Sequence, residues 1–85
     1  VGEFTIINAD NPSVFSFVRH SSERAILVVT NLSRFVRPVH LDLSAYAGQQ
    51  LVEILGGAEF PRVESAPYFL SMGPHAYYWF EINPC

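Results

Sequence analysis

The chain has 85 residues, 49% of them hydrophobic and only 15% charged, with a net charge of −3 that comes from eight acids against five arginines and no lysine. A chain of that size is one small domain burying about 60–65% of the surface its unfolded form exposes, and its acidic balance offers no basic stripe for nucleic acid to follow. No uninterrupted apolar stretch reaches the roughly 18 residues of a membrane span, so the apolar excess points to a surface covered by another domain, in a chain that is a piece of something larger.

The first predicted strand is "EFTII" (3–7), followed by the turn-rich break "NADNPS". "VFSFVR" (14–19) and "RAILVVTNL" (24–32) flank the short polar turn "HSSE" and read as a β-hairpin. "VRPVHLDL" (36–43) alternates, with Val39, Leu41 and Leu43 on one side and Pro38, His40 and Asp42 on the other. Pro38 has no N–H for a ladder, so this strand lies at an edge or begins there. "SAYAGQ" is then a loop or a single helical turn. "QLVEIL" (50–55), a "GG" turn, the irregular "AEFPRVESAP", "YFLSM" (68–72), a "GP" turn and "AYYWFEI" (76–82) complete the chain. No segment carries an amphipathic helix. Short strands with turn residues between them predict an all-β fold, an antiparallel β-sandwich with Greek-key connections and about seven or eight strands, as one domain over residues 1–85.

Two strands lack the polar face that an antiparallel sheet with one wet side should show. In 24–32 both alternate sets, Ala25/Leu27/Val29/Asn31 and Ile26/Val28/Thr30/Leu32, are largely apolar; in 14–19, Phe15 and Phe17 oppose Val14, Ser16 and Val18. One side would be the core and the other needs a cover. The four rings Tyr77–Phe80 divide in the same way. Ala76, Tyr78, Phe80 and Ile82 are assigned to the core, and Tyr77, Trp79 and Glu81 to the opposite face. Phe15, Phe17, Tyr77 and Trp79 are therefore the candidate contact residues, for a protein domain first and for a sugar ring as the alternative.

Other chemistry finds little footing. The acids Glu3, Asp10, Glu23, Asp42, Glu53, Glu59, Glu64 and Glu81 are scattered, with no pair marked for glycoside chemistry. His20 in the hairpin turn, His40 on an outer strand face and His75 beside the Gly-Pro turn match no metal-ligand spacing. A triad of Ser22, His20 and Asp42 lacks a nucleophile elbow. Asn31, in the sequon "NLS", reads as a residue that ties down backbone where the strand turns. Arg34 and Arg37 flank Phe35 in a loop. The expectation is thus no catalytic residue, no metal and no cofactor. The one cysteine, Cys85, leaves no internal disulfide and favours a cytoplasmic setting, and "VGEFTIINAD" lacks the blocks of a signal peptide.

The pieces "VFSFVR", "ILVVTNLSRFVRPVHLDLSAYAG", "VEILGG", "FP" at 60–61 and "GPHAYYWFEI" occur in an order that spans roughly residues 4–82. Together they resemble the C-terminal domain of the α-amylase superfamily, glycoside hydrolase family 13, in its trehalose synthase branch. "GPHAYYWF" departs from the double proline and the glycine of that family's turn. The resemblance implies a non-catalytic C-terminal sandwich that follows a (β/α)8 barrel, in an enzyme that interconverts maltose and trehalose through a glucosyl-enzyme intermediate on a barrel aspartate. The implied partner is the catalytic barrel of the same polypeptide. Left uncovered, the apolar face is expected to drive homo-association.

Overall fold

The computed structural model describes residues 3–21 and 24–83. The expectations for Ser22, Glu23 and Cys85 lie outside the described residues. Seven strands form among those described: β1 Glu3–Ile6, β2 Val14–His20, β3 Ala25–Asn31, β4 Arg37–Leu41, β5 Gln50–Glu53, β6 Tyr68–Met72 and β7 Tyr77–Asn83. A single 3₁₀ turn, Ser44–Tyr46, follows β4. All pairings are antiparallel, in a five-stranded sheet ordered β1-β2-β3-β7-β5 and a two-stranded sheet of β4 and β6. After β3 the chain changes sheet at every connection, so that β7 inserts between β3 and β5. This is the crossed connectivity of the Greek-key sandwich that the sequence predicts.

The period-two pattern decides which side chains meet between the sheets. Val18, Leu27, Val29, Leu51 and Phe80 of the large sheet and Val39, Leu41 and Met72 of the small one are fully buried. Tyr78 and Ala76 pack on this core while remaining partly accessible. The irregular stretch after β5 belongs to the core as well. Val63 is buried, and the Phe60 ring meets those of Phe80 and Tyr78 at centroid distances of 4.8 and 5.7 Å.

Three expectations change. β5 ends at Glu53 rather than residue 55, because the Glu53 carboxylate accepts the N–H groups of Leu55 and Gly56 and folds the chain into a turn with Gly57 at φ 75°. The break at 8–11 is more than a turn: β4 is an edge strand of the two-stranded sheet, as Pro38 predicts, and the break lies along its free side, with Asp10 N–H donating to His40 O at 3.2 Å and Asp42 N–H to Asn8 O at 3.0 Å. His20 is the last residue of β2 rather than part of the turn, and its Nε2 lies 2.9 Å from the Tyr46 hydroxyl. The turn before β7 also has a local cost. Ala76 N–H donates to Gly73 O, and His75 takes φ 52°, the left-handed region where glycine is unstrained.

Candidate functional site

The outer face of the five-stranded sheet carries an unbroken apolar row from edge to edge, with Thr30, Arg19 and Glu81 in the rows beside it. Register sets its central row: Ile6 of β1 opposes Phe17 of β2, Phe17 opposes Val28 of β3, and Val28 opposes Trp79 of β7. Ile54 continues the row past β5, its N–H donating to Trp79 O at 2.8 Å. A second row runs Phe15–Thr30–Tyr77, and a third runs Phe4–Arg19–Ile26–Glu81–Val52. Trp79 is 48% exposed, Tyr77 58%, Phe15 47% and Phe4 63%. Large apolar groups at such exposure are ordinary when scattered, but here they are contiguous. Five strands at about 4.8 Å spacing span about 19 Å, and the rows cover about 13 Å along β2, β3 and β7 but about 7 Å along β1 and β5. The face therefore measures roughly 200 Å², toward the few hundred Å² that mark interaction surfaces.

The four residues singled out in the sequence thus share one face, and Phe17 is its half-buried centre. Its ring meets Phe15 at 5.6 Å and Phe4, edge-on, at 5.4 Å. Sequence reasoning missed Phe4, Ile6 and Arg19. Alternation within "EFTII" carries the signal for the first two, since Ile7 turns inward and is buried. A groove of about 220 Å³ opens beside Trp79, lined by Phe4, Phe17, Arg19, Ile26 and Val28. Glu81 on the same face is held by Arg24, Nε to Oε2 2.8 Å. The surface can exclude water against an apolar partner. The polar side-chain groups that line the groove are the Arg19 guanidinium and the Trp79 indole N–H, both donors.

Among the described residues the titratable side chains sit in separate local contacts. His20 engages Tyr46, whereas Asp42 accepts from the Ser44 hydroxyl at 2.8 Å. His40 pairs with Asp10, Nδ1 to Oδ2 2.8 Å, and stacks obliquely on Phe69 at 5.1 Å. The His40 N–H donates to Asp10 Oδ1 at 2.7 Å, and these two hydrogen bonds, the backbone one first, hold the Asp10 carboxyl below its ordinary value. Burial raises the phenols of Tyr46 and Tyr68. Among the described residues no three of His, Cys, Asp and Glu come together as metal ligands, and no helix is long and apolar enough to cross a membrane.

Comparison with known proteins adds the following. The family model described as Maltogenic Amylase, C-terminal domain, matches residues 4–79. A trehalose synthase of Pimelobacter sp. (strain R48) is 43% identical over 87 residues, which cover 98% of this chain and 15% of that protein. The trehalose synthase/amylase TreS of Mycobacterium tuberculosis (strain ATCC 25618 / H37Rv) is 40% identical, with 98% of this chain and 14% of its own length covered. The chain therefore spans about one-seventh of these relatives. Among solved structures, an Anoxybacillus α-amylase superposes with a TM-score of 0.76 at 18% identity, over 99% of this chain and 18% of its own. The amylase AmyP, solved with maltotriose, gives 0.81 at 23% identity, over 99% of this chain and 17% of its own. At those identities the likeness is one of fold.

Proposed function

This chain belongs to the family of maltogenic amylase C-terminal domains, and on that premise we propose that it is the non-catalytic C-terminal domain of an α-amylase-like enzyme of trehalose synthase type. That enzyme interconverts maltose and trehalose on a (β/α)8 barrel that precedes this domain in the same polypeptide. The domain packs on the barrel through the outer face of its five-stranded sheet and stabilises it. Phe15, Phe17, Tyr77 and Trp79 make the contact. The observation that carries this reading is the contiguous row Ile6–Phe17–Val28–Trp79. Relatives about seven times longer supply the polypeptide that would cover it.

A glycan-stacking role for Trp79 and Tyr77 has less support. A pyranose carries several hydroxyl groups, each costly to bury without a hydrogen-bond partner. The side chains lining the groove offer two donor groups, the Arg19 guanidinium and the Trp79 indole N–H, and no acceptor. Hydroxyl-radical footprinting separates the readings. Phe15, Phe17, Tyr77 and Trp79 should be labelled severalfold less in the intact polypeptide than in the 85-residue chain alone. Equal labelling in both, with Trp79 fluorescence quenched saturably by maltotriose, would replace docking with sugar binding.

A further inference from the structure

We infer that the barrel surface covering this sheet brings a carboxylate to Arg19. The inference rests on the docking reading above and names the chemistry of its partner. Arg19 points outward from β2, opposite Phe4 on one side and Ile26 on the other. Its guanidinium lies 5.8 Å from the centroid of the Phe4 ring and forms part of the groove wall beside Trp79. The ion pairs among the described residues are Arg24–Glu81 and His40–Asp10, and neither includes Arg19. Glu81, two residues across the same row, already holds Arg24 at 2.8 Å. Arg19 is thus a cation with no ionic partner among the described residues, in the third row of the face.

While the face is open, water solvates the guanidinium and the arrangement costs little. Closing an apolar surface over it removes that water, and an unpaired buried charge is among the most unfavourable things an interface can hold. A covering surface compatible with Arg19 must therefore supply an anion at that point. The planar fork of the guanidinium suits a carboxylate through two parallel hydrogen bonds. The groove beside it takes an apolar side chain from the same segment. The occupant is an apolar segment of the barrel that carries one Asp or Glu at the Arg19 end.

The sign of one substitution tests this. In the intact polypeptide, docking is followed by the radical labelling of Phe15 and Tyr77 across a urea series. Arg19→Met keeps the length and removes the charge. If a carboxylate faces it, that group is left buried and unpaired, and the docked-to-open ratio falls by about tenfold or more. Arg19→Lys restores a cation and recovers part of the loss. If no anion is there, Arg19→Met strengthens docking or leaves it unchanged, which overturns the inference. Trp79→Ser tells which premise has failed: protection lost with Trp79→Ser but not with Arg19→Met leaves docking standing without the carboxylate. Protection unchanged by either variant removes both.

Discussion

Asn31 closes β3 on the buried side of the sheet, where the chain leaves for the other layer. Its Nδ2 donates to the carbonyls of Gly73 at 2.8 Å, Phe35 at 2.9 Å and Met72 at 3.3 Å, and its Oδ1 accepts from Ser33 N–H at 3.0 Å. One buried amide thereby joins the end of β3, the loop after it and the end of β6. This is the role its place before "LSR" suggests, although only the folded chain reveals the carbonyls from residues 72 and 73. Asn31→Ala leaves those carbonyls and the Ser33 N–H without that partner in a site water enters poorly. The expected loss is about 2–3 kcal/mol, a large share of the roughly 4–13 kcal/mol that 85 residues provide. Urea denaturation of the isolated chain measures it. A loss below about 0.5 kcal/mol, the range of ordinary surface substitutions, would mean that the loop is held by other bonds.

At the scale of elements, β4 and β6 are legible in the sequence because burial on one side imposes a period of two, and β2, β3 and β7 because short apolar runs stand between turn residues. β6 coincides with its predicted range, and every inward residue predicted for β4 is buried. What the sequence does not declare is pairing that lacks a side-chain period. The segment 8–11 reads as a turn and instead lies along β4, fixed by backbone bonds and by Asp10. The depressed Asp10 carboxyl makes that attachment pH-dependent. A carboxylate whose folded-state pKa lies below its ordinary 3.8 binds fewer protons when folded. Its contribution is present above the ordinary value and is lost as pH falls through the depressed one. Asp10→Asn removes this titration. Between about pH 5 and about pH 2 the wild-type urea midpoint should therefore fall more steeply than that of the variant. Parallel pH profiles would show that the Asp10–His40 contact does not hold β4 in solution.

At the scale of the whole molecule, the apolar excess and the missing polar faces of β2 and β3 made an apolar outer face legible in the sequence. They did not give the shape of the face to be covered. Phe4 and Ile6 join it because β1 pairs with β2 in a register that brings them beside Phe17, and that register is a tertiary fact. Arg19 acquires its significance in the same way, from neighbours on strands that the sequence keeps apart. The isolated chain exposes this whole face to water, against which a net charge of −3 spread over 85 residues opposes association only weakly. Sedimentation of the isolated chain should therefore show concentration-dependent self-association. Trp79→Ser, in the central row of the face, should abolish it. The same variant should shift unfolding by no more than about 1 kcal/mol, because the Trp79 ring is half exposed on the side away from the core. A large loss of stability with association intact would place Trp79 in the domain's own packing and move the docking surface elsewhere. Loss of association at nearly unchanged stability is the outcome a face built for another domain requires.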